Sequence, residues 1–350
     1  MRRDGKRNYT QMILVGAIAS AVGIVGGLLI DWFPDAASTQ AGPIDTLWDV
    51  LLIVSVPVFV LVTVVVLYAV KFFRMRPGEE NLDGDPIHGN TRLEVIWTTI
   101  PAVIIAALVV YAYLVLVDIE KAPANPDSER VVQVRARQFA WQFTYPGTKG
   151  PDGKPIVSDT LYLPVDESVK FDITTDDVLH DFFIPEFRLK IDAVPGITTH
   201  FRATPNEIGR QTVVCAELCG LGHAFMRTNV EVVSREDFDA WIAEQGQPAE
   251  EEGAGDGETA SADGKAIFVE TGCNACHTLA DAAATGKIGP NLDEFLAADD
   301  AEAIREMIVN PNAEIAEGFQ EGLMPQDYES QLSPEELDAL VNYLDEVTAK

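Results

Sequence analysis

The sequence predicts a multidomain membrane protein in three parts: an N-terminal transmembrane helical hairpin, a β-sandwich and a C-terminal all-α unit. Three observations carry that reading. Long apolar runs with very few charges fill the early part of the 350-residue chain. Short β-prone runs broken by turn signals extend from Arg130 to Val233, the texture of an antiparallel sandwich or barrel. An acidic, glycine-rich stretch then leads into a short segment that reads as helices.

Arg2, Arg3, Lys6 and Arg7 precede the first apolar run, Met12–Ile30. A basic start before such a run suits a secretory signal, yet this run is long enough to cross a bilayer. Residues 1–40 are therefore read as a signal peptide or an additional transmembrane helix. Both readings put residue 40 outside the cytoplasmic membrane. The next run, Leu47–Phe73, is followed by Lys71, Arg74 and Arg76 at its C-terminal end; by the positive-inside rule that end faces the cytoplasm. A polar loop with Pro77-Gly78 and Asp83–Pro86 leads to Val95–Val117, which Asp118, Glu120 and Pro123 end. Residues 45–120 thus form the hairpin, and the chain beyond Asp118 is extracytoplasmic.

Residues 125–240 hold the β-prone runs: Val131–Val134, Phe139–Phe143, Thr160–Leu163, Val169–Ile173, Thr199–Arg202, Gln211–Val214 and Thr228–Val233. Ser234 is an N-cap candidate for a short helix, with Glu236 and Asp237 in its first turn. Residues 243–262, rich in Gly, Glu, Ala and Pro without apolar periodicity, read as a flexible acidic linker. Residues 263–350 form the last unit.

The chemistry concentrates in Cys215–Met226, which reads C-x-x-x-C-x-x-x-H-x-x-M with Cys219 and His223 inside it. Thiolate, imidazole and thioether are a soft ligand set that selects copper over magnesium, calcium or manganese. A mononuclear blue-copper site uses one thiolate and two imidazoles, so two thiolates suit a dinuclear centre once a second histidine is supplied. His180, in Asp177–Pro185, is that supplier. The competing reading is a buried cysteine pair or a disulfide beside a core methionine. The ligands are expected in loops: His180 before Pro185, and the cysteines between the strand ending at Val214 and the one near Thr228.

In the last unit, Cys273-Asn-Ala-Cys276-His277 is the c-type haem attachment pattern. A zinc site would need further Cys or His nearby, and none follows His277. The sixth iron ligand should be a thioether or an imidazole, which leaves Met307 and Met324. Met307 lies in an amphipathic helical run, Ala301–Val309; Met324 lies in a glycine-rich segment before the final helix from Ser333. A loop methionine can swing over a haem face, so Met324 is chosen. Gly289–Leu292 is expected on the proximal side.

The net charge is −30, and from Arg235 onward 28 Asp and Glu stand against 5 Lys and Arg. Such acidity repels nucleic acid and anionic headgroups and steers a basic partner; a high-salt habitat would leave the same bias.

Cys215-x-Glu217-x-Cys219 with His223, Met226 and Asp177-Val-Leu-His180 resembles subunit II of the haem–copper cytochrome c oxidases. The hairpin and a cupredoxin-like β domain match too, from residue 45 to about 240. The resemblance implies a dinuclear CuA centre held by His180, Cys215, Cys219, His223 and Met226, with Glu217 binding through its main-chain carbonyl. It also implies the Glu217 side chain as a magnesium ligand facing subunit I, with Leu189–Gly196 near that interface. Leu93–Trp97 resembles the start of the family's second helix, which makes Glu94 a proton-channel candidate. The final unit resembles a class I cytochrome c, with Cys273 and Cys276 bound covalently to haem c and His277 and Met324 as axial ligands, the layout of caa-type oxidases. One departure stands out: Phe139 occupies the position of a tryptophan that receives electrons from soluble cytochrome c, while Trp141 fits the second tryptophan. A tethered haem as donor would account for that.

The resemblance implies an electron-entry subunit of an aerobic oxidase in the cytoplasmic membrane, feeding a subunit I beside a subunit III. The upstream donor is a cytochrome c or a cytochrome bc-type complex. With five histidines, at 88, 180, 200, 223 and 277, the chain lacks the set for oxygen reduction by itself. The rivals are a membrane-tethered copper carrier and an entry module for another acceptor such as nitric oxide. Quinol-fed relatives have lost the copper ligands that this chain retains.

Overall fold

The computed structural model describes residues 6–75, 77–78, 88–125, 129–150, 153–246, 264–269, 271–326 and 328–349. Arg2, Arg3, Arg76, the loop residues 83–86 and most of the expected linker, from 247 on, lie outside the described residues. The chain divides into two units, residues 1–34 with 41–121, and residues 35–40 with 122–350.

The first unit is helical: α1 (Lys6–Leu28), α2 (Ala41–Phe73) and α3 (Thr91–Ile119). All three are long and apolar enough to cross a membrane. Gly23 and Gly27 let α1 approach α2 closely. A methyl group at either would come within 2.8 Å of Val56 or Leu52, the small-residue packing that membrane helices use where water gives no hydrophobic drive. α3 begins four residues before the expected Val95, because Asn90 caps it. Its side chain accepts the Leu93 N–H at 3.1 Å, and Glu94 accepts the Asn90 N–H at 3.2 Å. These reciprocal bonds satisfy two donors that a helix start leaves unpaired.

The second unit opens with two five-stranded sheets. One runs β3-β2-β1-β5-β8 and the other β4-β10-β9-β6-β7. The strands are β1 (Arg130–Arg137), β2 (Ala140–Tyr145), β3 (Ile156–Ser158), β4 (Leu161–Pro164), β5 (Val169–Thr175), β6 (His180–Ile184), β7 (Leu189–Ala193), β8 (Thr199–Ala203), β9 (Gly209–Cys215) and β10 (Arg227–Val233). Alternation builds the core: Val132, Val134 and Ala136 of β1 and Val169, Phe171 and Ile173 of β5 are buried, as a period of two requires. Phe171, Phe182 and Phe201 meet there with ring centroids 5.1 to 5.9 Å apart. Each such buried side chain contributes roughly 1.5–3 kcal/mol.

Two expectations are corrected. The sheets are mixed, because β1 pairs with β5 and β4 with β10 in parallel. Strands β3, β6 and β7 add to those that the β-prone runs announce, so His180 does not lie in a loop; it is the first residue of β6, and Cys215, also expected in a loop, is the last residue of β9. Asp181 and Pro185 break the pattern that would announce a strand there, but the buried Phe182 and Ile184 supply its inward face.

Helix α4 (Arg235–Gln245) starts where Ser234 accepts the Asp237 N–H at 3.1 Å. Its Phe238 is buried and Trp241 stacks on Tyr162 at 4.3 Å. The last part contains a helical stretch at 264–269, α5 (Cys273–Cys276), α6 (Leu292–Phe295), α7 (Ala301–Val309), α8 (Tyr328–Gln331) and α9 (Pro334–Thr348). Ser333 and Glu336 close a capping box on α9. One two-residue strand pair, Thr278–Leu279 with Ala284–Thr285, is added to the expected helices. Phe268, Leu292, Ile304, Leu340 and Tyr343 form the core.

Candidate functional site

The β6–β9 ladder sets the first half of the site. Phe182 pairs with Cys215, and His180 lies two residues earlier on the same face of β6. The ladder is prolonged by the Ala216 N–H, which donates to the Asp181 carbonyl at 3.0 Å. Residues 216–226 then loop out and return, and the Cys215 N–H donates to the Met226 carbonyl at 3.1 Å to close the loop base. His180 and Met226 are fully buried, Cys215 and Cys219 nearly so.

The sulfurs and imidazoles converge. Cys215 Sγ and Cys219 Sγ are 3.8 Å apart. That is far beyond the ~2.05 Å of a disulfide, and both thiols are free. His180 Nδ1 lies 3.9 Å from Cys215 Sγ, and His223 Nδ1 3.7 Å from Cys219 Sγ. Met226 Sδ is 3.8 Å from Cys219 Sγ, and the Glu217 carbonyl oxygen 3.2 Å from Cys215 Sγ. The ligand atoms of His180, Cys215 and Cys219 lie within 4.8 Å of one another. Two central thiols, one imidazole beside each, and a thioether and a carbonyl at the ends form a soft donor set that fits copper.

The surroundings orient these ligands. His180 Nε2 is 2.9 Å from Asp177 Oδ1. A carboxylate can only accept, so Nε2 carries a proton and Nδ1 is the nitrogen that faces Cys215. Asp177 also accepts the Gln138 N–H at 2.7 Å, and Gln138 Nε2 donates to the Cys219 carbonyl at 2.5 Å. Burial alone would raise the Asp177 pKa, but its bonds to His180, Gln138 and Val178 outweigh that and lower it. For His180 burial lowers the pKa, and Asp177 and Cys215 together raise it. The two thiols resist losing both protons: burial and the neighbouring Cys215 charge push Cys219 up. A bound cation would replace those protons.

The C-terminal part encloses an apolar cleft with an empty volume of about 1110 Å³, its open mouth included. Cys273, Cys276 and His277 form one wall, and both Met307 and Met324 line the cleft. His277 Nδ1 lies 3.0 Å from the Pro290 carbonyl, so Nδ1 must donate and Nε2 keeps its lone pair. Burial lowers the His277 pKa against the smaller effect of Pro290, which keeps the ring neutral as a ligand must be. Gly289, on the expected proximal segment, lies against this ring; a methyl group there would sit 2.5 Å from Cε1. Two thiols, a neutral imidazole and a thioether around a large apolar cleft fit a covalently attached haem.

Glu217 is exposed, and Glu94 sits in the capping turn of α3. Asp177 and Gln138 gain their roles only from the structure. An acid three residues before a ligand histidine is a sequence signal for the first; nothing in the local pattern marks the second.

A cupredoxin-like β-sandwich with a buried thiol–imidazole–thioether cluster, three helices long and apolar enough to cross a membrane, and a Cys-x-x-Cys-His turn beside an apolar cleft define a multidomain protein whose donor sets fit copper and haem. Residues 25–115 match the family described as cytochrome c oxidase subunit II, transmembrane domain. Residues 153–233 match its periplasmic domain and 261–348 match cytochrome c. Cytochrome c oxidase subunit 2 of Thermostichus vulcanus is 35% identical over 66% of this chain and 83% of its own length. That of Alkalihalophilus pseudofirmus is 32% identical over 84% of this chain and 85% of its own. The periplasmic domain of subunit II of cytochrome oxidase from Bradyrhizobium japonicum is 28% identical over 33% of this chain and 92% of its own, with a TM-score of 0.30. The chain belongs to the cytochrome c oxidase subunit II family, fused to a C-terminal cytochrome c domain.

Proposed function

We propose that the chain is the electron-entry subunit of an aerobic respiratory oxidase. It takes electrons from a cytochrome c or a cytochrome bc-type complex and passes them to subunit I, where oxygen is reduced to water and protons are translocated. Copper and haem supply the one-electron exchange, and the polypeptide supplies ligands, burial and geometry. His180, Cys215, Cys219, His223, Met226 and the Glu217 carbonyl would hold the dinuclear CuA centre. Cys273 and Cys276 would hold haem c covalently, with His277 and Met324 on the iron.

The observation that carries the reading is the thiol pair 3.8 Å apart with an imidazole beside each sulfur. A carrier that binds and releases one ion has no use for the second thiol–imidazole pair. Burial of Cys215, Cys219 and Met226 excludes water, and strands on either side fix the ligands, so little rearrangement accompanies a change of charge. The exposed Glu217 carboxylate is the magnesium ligand toward subunit I in this reading, and Glu94 a proton-uptake group. The copper and haem parts face the extracytoplasmic side of the cytoplasmic membrane, in a complex that includes subunit III.

Purification of the intact complex tests this. The expected result is two copper ions and one covalent haem per chain, a mixed-valence dicopper spectrum, and oxygen uptake with reduced cytochrome c. A single-copper adduct, or nitric oxide uptake without oxygen uptake, overturns it.

A further inference from the structure

The haem-attachment turn does not stand free of the copper domain. Asn274, a residue between the two cysteines with no part in holding haem, is buried. Its Nδ2 donates to Asp159 Oδ2 at 2.9 Å. Asp159 follows β3, so the turn sits at the β2–β3 side of the sandwich. Arg137, at the end of β1, lies against Gly272; its Nε would be 3.2 Å from a methyl group there. Its charge also faces Cys273 and Cys276. The Phe139 backbone N–H points at the Cys276 sulfur. On its other side the Phe139 ring covers Gly220 and Gly222 of the copper loop so closely that a methyl group at Gly222 would collide with it. A second contact lies further along the module, where Leu221 of the copper loop packs against Gly322, 3.3 Å from where its methyl group would be. Gly322 is two residues before Met324.

None of Asp159, Asn274, Arg137 and Phe139 belongs to either ligand set, yet all four lie where the Cys273–Cys276 turn meets the copper domain, and Phe139 touches both the turn and the copper loop. We propose that Asp159, Arg137 and Phe139 form a docking seat for the Cys273–Cys276 turn, which holds the module in position for internal electron transfer. The same seat closes this face of the copper domain to an external donor protein. The inference rests on the electron-entry reading above. In each transfer the reduced module loses one electron and the Cys215–Cys219 site gains it; the external donor restores the module and subunit I drains the copper site. Asp159 and Arg137 are positioning residues, since neither touches a reacting atom.

The test uses the purified oxidase complex. In the Asn274→Lys variant the introduced amine faces Asp159, and a zero-length carbodiimide should join positions 274 and 159, identified as one cross-linked peptide by mass spectrometry. Adding Asp159→Asn should abolish that peptide. In Asp159→Lys, internal electron transfer after flash reduction of the haem should slow at least tenfold with both metal spectra unchanged, and soluble cytochrome c should then reduce the copper site directly. Asp159→Asn, which keeps an acceptor for Asn274, should slow the transfer less than Asp159→Lys does. Absence of the cross-link, or an unchanged transfer rate in Asp159→Lys, overturns the docking seat; if Asp159→Lys fails to assemble, the cross-link decides. A parent complex without a dicopper spectrum or covalent haem refutes the electron-entry reading instead.

Discussion

Asp177 holds His180 by a 2.9 Å hydrogen bond to Nε2, and that bond leaves Nδ1 facing Cys215 Sγ at 3.9 Å. One carboxylate three residues upstream thus decides which nitrogen of a fully buried imidazole faces the thiol pair. Outer partners of this kind typically contribute 10–100-fold in metal affinity. Asp177→Asn should weaken copper binding by about that factor while both cysteines remain able to bind. Competition with a copper chelator measures it, and unchanged affinity removes Asp177 from the role.

The same pair gives the metal-free protein a pH dependence. Asp177 has its pKa lowered in the fold, so its contribution is present above the ordinary carboxylate value and lost as pH falls through the lowered one. His180 has its pKa raised, so its contribution is present below 6.5 and lost as pH rises through the raised value. Metal-free protein should therefore be most stable between about pH 4 and 6.5 as far as this pair decides. Denaturant midpoints across that range should trace a maximum, and Asp177→Asn should flatten it.

Cys215→Ser and Cys219→Ser should each abolish the dicopper spectrum and leave covalent haem in place. Copper content and haem staining of the same sample read both. A dicopper spectrum that persists in either variant would show that this sulfur does not bridge.

Met307 and Met324 both line the haem cleft. Met324→Ala should remove the low-spin Met–His spectrum and lower the haem potential, whereas Met307→Ala should change stability more than colour. The reverse pattern would transfer the axial role to Met307.

Gly289→Ala should push the His277 ring from its place, since the added methyl group meets Cε1 at 2.5 Å. A cost of about 1–3 kcal/mol is expected for such overpacking. Thermal unfolding and the ferric haem spectrum would both shift; an unmoved spectrum would mean that the Gly289 backbone yields instead.

Much of this architecture is legible in the chain. The apolar runs could become only long helices. Ser234 and Ser333 cap the helices they announce. His180 is legible as a candidate beside the cysteine pair but not as a strand residue, because Asp181 and Pro185 hide the inward pattern of β6. The parallel pairings are hidden for a different reason: alternation tells which face a strand buries, not which neighbour it takes.

The sequence by itself determined the parts: the apolar lengths, the donor atoms of the copper loop and the haem-attachment turn. These are local properties, set by residue type and spacing. Only the tertiary structure decided how the parts meet. It brought His180 to Cys215 across the β6–β9 ladder, gave Asp177 and Gln138 their hold on the ligands, and laid Asn274 against Asp159, 115 residues away. Such contacts depend on strand order and packing, which come from burying the whole core at once and so leave no mark at the individual positions.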